Sequence, residues 1–262
     1  MLKIYPKVKE NIEIADAIYK LVLEGDFPQN EFKPGKFLHV KCSNGLDPLL
    51  RRPMSICDVS DDAKSMTVLY RSEGRGTQLM SQWQSGREVD ILAPLGNNFD
   101  LDNLKAKSKV VLVGGGIGVP PLYYLGRKLK EKDHEIITIL GFNSSKDVFY
   151  EQEFASFSEK VYITTVDGTQ GMKGFVTRAL ADLGEENWDV LYSCGPTAML
   201  KALQSQVPAD KTAYMSLEER MGCGVGACLA CVCKYNEGFE RDKNYSRVCT
   251  EGPVYDIREV KL

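Results

Sequence analysis

Four cysteines near the C-terminus constrain what this chain can fold into more than any other feature. Cys223, Cys228 and Cys231 follow a C-x4-C-x2-C spacing, and Cys249 comes after a polar, charged segment. In plant-type ferredoxins this spacing, with a distant fourth cysteine, holds a 2Fe-2S cluster. The residues between and beside these thiols are small: Gly222, Gly224, Gly226, Ala227 and Ala230. Because small residues let backbone N–H groups approach inorganic sulfide, the segment predicts a 2Fe-2S site.

Other interpretations of these cysteines stay open from the sequence. A zinc site usually shows two C-x2-C knuckles without a glycine-rich loop. Cysteines of an ordinary core rarely stand so close together in sequence. Cys233 could replace Cys231 as a ligand, although its C-x4-C-x4-C spacing fits the cluster pattern less well. We therefore expect Cys231 to be a ligand and Cys233 not to be one.

Composition narrows the class of protein. At 262 residues the chain is long enough for more than one domain. Its net charge of −3 argues against nucleic acid or an anionic membrane as the main partner. No signal peptide is visible, and three consecutive glycines and Pro120-Pro121 interrupt the apolar stretch 110–125, so no membrane span is predicted. We expect the eight cysteines to be metal ligands or reduced thiols in a cytoplasmic protein.

The N-terminal part of the sequence, up to about Pro94, is typical of short strands separated by turns. Residues 36–42 and Ser65–Arg71 alternate apolar and polar side chains, whereas residues 12–23 fit either a helix or a strand. One helix is predicted over residues 76–83, with Thr77 placed to cap it or to bind an anion. Strands at this spacing indicate an antiparallel β-barrel or sandwich.

From about residue 100 the pattern changes to alternating strands and helices. An apolar strand that begins at Lys109 runs into a glycine turn, and a helix is predicted over residues 121–130. Further strands are predicted over residues 135–141, 160–165 and 188–193. This alternation predicts an α/β, doubly wound parallel sheet with ligands at the carboxyl ends of its strands.

Two turns at that edge of the sheet are candidate nucleotide-binding elements. They comprise Gly114, Gly115, Gly116 and Gly118 in the first turn, and Cys194, Gly195 and Pro196 in the second. Bare backbone N–H groups at a helix start suit a pyrophosphate. Glycines also end strands for steric reasons alone, and the full G-x-G-x-x-G pattern is absent. Taken by itself, Cys194 suits a core position better than a catalytic one.

A basic segment in the N-terminal part combines cations, a rigid turn and a hydroxyl. Arg51 and Arg52 precede Pro53, and Ser55 follows two residues later. A guanidinium fork suits a phosphate, and Ser55 could hydrogen-bond an aromatic heterocycle. On this segment alone, an edge-strand proline flanked by solvated arginines is the simpler interpretation.

Together these motifs resemble the ferredoxin-NADP reductase superfamily. They stand in its order, as Arg-Pro-Met-Ser at 52–55, Gly-Arg-Gly-Thr at 74–77, Pro-Leu-Gly-Asn-Asn-Phe at 94–99, and the glycine turns at 114–118 and 194–196. With the C-terminal cysteines added, the whole chain resembles the electron-transfer subunit of class 1B dihydroorotate dehydrogenase. Met54 stands where much of the superfamily has tyrosine, which removes an aromatic partner for a flavin ring.

The resemblance implies three cofactor sites on three domains. The expected domains are an antiparallel β-barrel flavin domain over residues 1–100, the α/β NAD(H) domain over 101–210 and a small 2Fe-2S domain over 211–262. FAD would be held by nine residues: Arg52, Pro53, Met54, Ser55, Leu69, Tyr70, Arg71, Gly76 and Thr77. The glycine turns would hold NAD(H), and residues 141–147, with one lysine, no arginine pair and Asp147, favour NADH over NADPH.

The resemblance also implies a partner. An FMN-containing catalytic subunit would oxidise dihydroorotate to orotate in pyrimidine biosynthesis, in a heterotetramer with two of each chain. No catalytic residue is predicted in this chain, because neither His39 nor His134 lies in a catalytic pattern. Three alternatives stay open: the flavin and iron-sulfur subunit of another complex, such as an NADH-dependent ferredoxin:NADP reductase or sulfide dehydrogenase, a self-contained ferredoxin reductase, and a zinc-binding interaction module.

Overall fold

The computed structural model describes residues 1–239 and 242–262. Its first part is built from β1 (Leu2–Ile4), β2 (Lys7–Ala15), β3 (Ile18–Glu24), β4 (Phe37–Val40), β5 (Arg52–Ser55), β6 (Asp58–Val59), β7 (Ser65–Arg71), α1 (Arg75–Ser81) and β8 (Ile91–Leu95). The strands form two four-stranded antiparallel sheets, in the orders β1-β8-β4-β5 and β2-β3-β7-β6. Both sheets contribute to one apolar core. The predicted antiparallel β-domain is confirmed.

The ambiguous segment 12–23 belongs to a β-hairpin. Ala17 turns the chain with a left-handed φ of 56°, so that β3 returns antiparallel to β2. Leu21 and Leu23 are both fully buried in the core of the first part. Burial of alternate leucines requires the two-residue period of a strand, which decides against the helix.

The second part is the predicted α/β unit. Its elements are β9 (Lys109–Gly115), α2 (Pro120–Lys130), β10 (Glu135–Phe142), α3 (Glu151–Ala155), β11 (Lys160–Thr165), β12 (Met172–Lys173), α4 (Val176–Leu183), β13 (Val190–Cys194), α5 (Thr197–Gln206) and β14 (Thr212–Ser216). All six strands pair in parallel, in the order β12-β11-β10-β9-β13-β14. The strand order reverses between β9 and β13, which places a ligand crevice at the carboxyl ends of these two strands.

The C-terminal segment contributes β15 (Val232–Tyr235), β16 (Tyr245–Arg247), β17 (Val254–Asp256) and β18 (Val260–Lys261). Three of these strands form a small sheet in the order β16-β15-β18, whereas β17 pairs antiparallel with β14 at the edge of the large sheet. The large sheet therefore crosses the expected boundary at residue 210. No helix within the described ranges is long and apolar enough to cross a membrane.

Asn97 joins the end of the β-barrel to the C-terminal segment. Its backbone N–H donates to the Gly252 carbonyl at 2.6 Å. Its side chain donates to the carbonyls of Glu251 and Val254 at 2.9 and 2.7 Å, and its Oδ1 accepts the Val254 N–H at 2.9 Å. Gly96 has a left-handed φ of 72°, and a Cβ there would lie 2.6 Å from Pro253. The junction thus needs both a glycine and an amide side chain.

We expect Gly118→Ala to lower the free energy of unfolding by about 1–3 kcal/mol, because a Cβ would overpack the turn. That atom would lie 2.5 Å from the backbone C and O atoms of Cys194, which cannot rotate away. Chemical denaturation of both proteins measures the change. Gly45→Ala is the control, since its Cβ would meet only Ser43 Oγ at 3.5 Å. Equal stability of the two variants would contradict the close approach of the two turns.

Candidate functional site

The four cysteines predicted as cluster ligands meet around one loop as two pairs of thiols. Cys223 interacts with Cys228. Cys231 interacts with Cys249. Four thiolates shared by two irons leave two for each iron, so paired thiols fit a 2Fe-2S cluster. Within the described part of the chain, no group of three or more His, Cys, Asp or Glu side chains is gathered closely enough to hold a single metal ion.

Backbone N–H groups of the loop point at the sulfur atoms. Those of Val225 and Ala227 donate to Cys223 Sγ at 3.4 and 3.3 Å, and that of Gly226 donates to Cys249 Sγ at 3.2 Å. Burial opposes ionisation of Cys223, yet the hydrogen bonds that it accepts lower its pKa to about 7. Burial and a neighbouring thiol raise the pKa of Cys249 to about 12. The loop backbone therefore already has the orientation that sulfur ligands need.

Cys233 belongs to neither thiol pair, although it lies near enough to Cys231 for a charge interaction. It lies in β15 opposite Ser246, and its side chain interacts with that of Tyr255. Burial raises the pKa of its thiol to about 11. A neutral thiol held against a buried tyrosine is a core residue, which favours Cys231 as the ligand.

His39 was not expected at this site. In β4, Leu38 and Val40 face the barrel core, while Phe37 packs with the core that contains Cys231 and Cys249. His39 alternates with Leu38, so it shares the outer face of β4 and is fully buried there. Burial, with a contribution from the nearby arginines, lowers its pKa to about 4, so the ring is neutral near pH 7. A lone histidine in a strand matches no motif. The alternation of side chains along β4 was the one sequence signal that could have placed His39 on the outer face.

The two adjacent arginines of the basic segment have different surroundings. Arg51 Nη2 pairs with Asp90 Oδ1 at 2.8 Å. Arg52 forms no ion pair with a described residue, and its Nη1 donates to the Leu50 carbonyl at 2.7 Å. A Cβ at Gly76 would lie 3.1 Å from Arg52 Nε, so the start of α1 comes close to this guanidinium. Arg52 is therefore a half-buried cation available to a phosphate, whereas Arg51 is structural.

The remaining residues predicted for FAD lie around Arg52 on β5, β7 and α1, and they differ in whether their side chains are free or engaged in the fold. Thr77 Oγ1 accepts the N–H of Gly74 at 3.1 Å and donates to its carbonyl at 3.0 Å, so it caps α1. The Ser55 hydroxyl makes no hydrogen bond with a described residue. Met54 packs against the barrel core, and Pro53 lies opposite His39 in the β4–β5 register.

The three predicted residues of β7 divide between the core and a cavity. Leu69 is buried. Tyr70 is buried too, and its hydroxyl donates to Asn11 Oδ1 at 3.0 Å, so a ligand could reach only the backbone of these two residues. Arg71 lines the cavity and pairs with Glu73 at 3.2 Å. Arg71 therefore belongs to the boundary between the barrel and the α/β unit.

A cavity of about 520 Å³ opens at the switch point of the parallel sheet. Three of the predicted nucleotide residues line it: Gly115, Gly116 and Pro196. Gly116 has a left-handed φ of 50°, and nothing lies within 4 Å of its Cβ position. Its backbone is therefore open to a ligand, as the glycine turn predicted.

The other four predicted nucleotide residues lie behind the cavity wall. A Cβ at Gly114 would lie 2.9 Å from Val119 Cγ2, and one at Gly195 would lie 2.5 Å from Met199 Cε. Gly118 faces the backbone of Cys194. Burial raises the pKa of the Cys194 thiol well above its usual value. These four residues let the two turns approach each other, which is the steric role that the sequence left open.

Two residues that line the cavity, Thr164 and Phe175, had no sequence signal, and Asp147, which the sequence did single out, lines it as well. Thr164 is fully buried, and its Oγ1 has no hydrogen-bond partner within the described ranges. Phe175 is 65% exposed beside the cavity. Asp147 Oδ2 accepts from Ser144 Oγ at 2.9 Å, and its Oδ1 lies 3.7 Å from Arg71 Nη1. An unpaired buried hydroxyl and an exposed ring suit a ligand with polar and aromatic parts.

Comparison with known families agrees with this geometry. Residues 218–261 match the iron-sulfur cluster binding domain of dihydroorotate dehydrogenase B. Residues 112–205 match the oxidoreductase NAD-binding domain. The first match contains all four paired cysteines, and the second contains both glycine turns.

Solved structures place the fold among flavin and nicotinamide reductases. The structure of an NADH-dependent reduced ferredoxin-NADP oxidoreductase is 27% identical, with a TM-score of 0.84, and the alignment covers 98% of this chain and 89% of that one. Phthalate dioxygenase reductase is 18% identical, with a TM-score of 0.67, and the alignment covers 94% of each chain. The second likeness concerns the fold alone.

Curated relatives identify the family. The dihydroorotate dehydrogenase B (NAD(+)) electron transfer subunit of Bacillus velezensis is 49% identical over 262 residues, which cover both chains completely. Its counterpart from Bacillus cereus is 50% identical over 250 residues, or 95% of each chain. With this identity over its full length, the chain belongs to the family of dihydroorotate dehydrogenase B (NAD(+)) electron transfer subunits.

Proposed function

We propose that this chain carries electrons between NAD(H) and a dihydroorotate dehydrogenase catalytic subunit, through FAD and a 2Fe-2S cluster. The observation that carries the proposal is the order of the three sites in the fold. The cavity with Gly116 borders Arg71 of the barrel, and β5 with Arg52 pairs with β4. On its outer face β4 contacts the loop of paired thiols through His39 and Gly224. The three sites therefore adjoin in the order that electron transfer needs.

The paired thiols form the site proposed for the cluster. Cys223, Cys228, Cys231 and Cys249 are its ligands, and Cys233 is not. Backbone N–H groups of the loop donate to two of these sulfurs, Cys223 Sγ and Cys249 Sγ. Such donors stabilise negative charge on sulfur and tune the reduction potential.

The region where the start of α1 comes close to Arg52 of β5 is the proposed flavin site. Arg52 binds a phosphate, Gly76 lets that phosphate approach the start of α1, and Ser55 offers a hydroxyl to the ring. When bound, a flavin accepts a hydride and releases electrons singly. Met54 contributes an apolar contact where an aromatic ring is absent. Thr77 acts through the helix cap, and Leu69 and Tyr70 act through their backbone.

The cavity at the switch point is the proposed nicotinamide nucleotide site. Gly115, Gly116 and Pro196 supply backbone next to the ligand. The Thr164 hydroxyl, which has no hydrogen-bond partner among the described residues, supplies a hydrogen bond, and Phe175 offers a ring face. The remaining predicted residues, Gly114, Gly118, Cys194 and Gly195, hold the two turns together around this site.

A catalytic partner is the proposed destination or source of the electrons. The surface around the cluster loop exposes apolar side chains, with Val225 39%, Leu229 47% and Val232 41% exposed. Exposed apolar groups next to a redox centre suit a protein interface. We infer an FMN-containing partner that oxidises dihydroorotate, two copies of each chain per complex, and a cytoplasmic location.

A second candidate is a reductase subunit of another complex. It is favoured by the likeness to the NADH-dependent reduced ferredoxin-NADP oxidoreductase at a TM-score of 0.84. Mass spectrometry of the complex isolated under native conditions separates the two candidates. A dihydroorotate dehydrogenase catalytic chain supports the first, and a different redox subunit supports the second.

We expect Cys231→Ser to lose the cluster and Cys233→Ser to keep it. The reason is that Cys231 completes a thiol pair with Cys249, whereas Cys233 contacts Tyr255. Iron content and the visible spectrum of each purified variant measure the outcome. The opposite pattern, with the cluster kept in Cys231→Ser and lost in Cys233→Ser, would reverse the ligand assignment.

We expect kcat/KM with NADH to exceed that with NADPH by about tenfold or more, which corresponds to about 1.4 kcal/mol. Arg71 is the only arginine among the residues found to line the cavity, and Glu73 and Asp147 already neutralise it. A 2′-phosphate would therefore meet excess negative charge. Asp147→Asn should lower the ratio of kcat/KM with NADH to kcat/KM with NADPH. Asp182 lies outside the cavity lining, so Asp182→Asn should leave this ratio unchanged. Equal or better use of NADPH would refute the assignment.

We expect the purified chain to reduce artificial one-electron acceptors with NADH, but to oxidise dihydroorotate only after the catalytic subunit is added.

Leu229→Asp should weaken assembly with the catalytic subunit about tenfold or more without changing the cluster spectrum, because it places a charge in an apolar interface. Ile12→Asp is the matched control, since Ile12 is equally exposed, at 47%, on β2. Dihydroorotate turnover by the chain alone would contradict the proposal.

A further inference from the structure

His39 links the strand pair next to the proposed flavin site to the loop that carries the thiols. In the β4–β5 register it lies opposite Pro53. On the other side, a Cβ at Gly224 would lie 2.7 Å from His39 Nδ1. The φ of Gly224 is +71°, so the loop uses a glycine both for its turn and for this approach. His39 also contacts the backbone of Cys223.

The ring of His39 has unused hydrogen-bonding capacity. A neutral imidazole carries one N–H donor and one acceptor nitrogen. Both nitrogens of His39 are buried, and neither has a well-aligned hydrogen-bond partner among the described residues. Leaving a buried donor unsatisfied costs about 1–3 kcal/mol. The hydrogen bond between His39 and the Cys223 backbone is too poorly aligned to satisfy the ring, so this buried imidazole calls for a better partner than the described residues supply.

We propose that His39 donates its ring N–H to a sulfur atom of the cluster and is thereby a positioning residue that tunes its potential. This inference rests on the proposed function, since it requires a cluster between the thiol pairs. Reduction adds negative charge to the cluster, and a donor to sulfur stabilises that charge. The hydrogen bond would therefore raise the reduction potential and fix the cluster relative to β4 and β5.

Selective labelling tests the contact directly. The chain contains two histidines, His39 and His134, and His134 lies immediately before β10 with its own backbone contact at Ser108. The protein with its cofactors is prepared with [15N]histidine and reduced, and pulsed EPR records nuclear couplings to the cluster. A 15N coupling is expected in the wild type and in His134→Gln, and it should vanish in His39→Phe.

Two outcomes separate this inference from the proposed function. A reduced-cluster signal without 15N coupling in the wild type would overturn the role of His39 alone. A protein with no cluster signal would overturn the proposed function and the inference together. Because the wild type and His134→Gln together assign the coupling to His39, the test does not depend on whether His39→Phe folds.

The reduction potential gives a second readout. His39→Phe removes the donor but keeps an aromatic ring, and should shift the cluster midpoint to more negative values at unchanged iron content. His39→Gln keeps an N–H donor and should recover most of that shift. Identical midpoints in His39→Phe and the wild type would show that the ring donates to no cluster sulfur.

Discussion

The hydrogen bonds of Asn97 are the interaction on which the arrangement of the sites depends. They tie the last residues of the barrel to the segment that leads from Cys249 into β17. Because β17 pairs with β14 of the large sheet, this junction connects all three parts of the chain. It also brings the outer face of β4 against the cysteine loop. The distance between β5 and the thiols is thus set by hydrogen bonds between the Asn97 side chain and the backbone of residues 251–254.

A second contact holds the barrel to the α/β unit on the other side. Arg127 of α2 donates to both carboxylate oxygens of Asp58 at 2.8 Å. Burial raises the pKa of Asp58, and the guanidinium opposes that shift. This contact and the Arg71–Asp147 pair flank the boundary between the two parts. The cavity at the switch point therefore opens along a boundary that charged groups from both parts hold together.

Sequence patterns were sufficient where the signal was local. The C-x4-C-x2-C spacing led to two thiol pairs, and alternation located β7 at the bounds that the structure has, Ser65–Arg71. Spacing could not separate ligand-facing glycines from packing glycines. Gly116 is open, whereas a Cβ at Gly118 would meet Cys194, far away in sequence. That difference depends on tertiary contacts, which the sequence around either glycine does not reveal.

The residues that sequence patterns missed share one property. None of His39, Thr164 and Phe175 belongs to a motif. Each is a candidate functional residue because of the loop or cavity that it faces in the folded chain. Arg51 and Arg52 illustrate the same limit, because only the position of Asp90 shows which of the two is already paired. Burial without a well-aligned hydrogen-bond partner among the described residues distinguishes His39 and Thr164 from ordinary core residues.

We propose that electrons pass between the nucleotide and the cluster through a flavin bound beside Arg52. The most direct measurement is anaerobic addition of NADH to the purified chain, with and without its flavin, while EPR follows reduction of the cluster. The account predicts rapid reduction in the complete protein, none in the flavin-free protein, and recovery when FAD is restored. Equal rates of cluster reduction with and without flavin would contradict it.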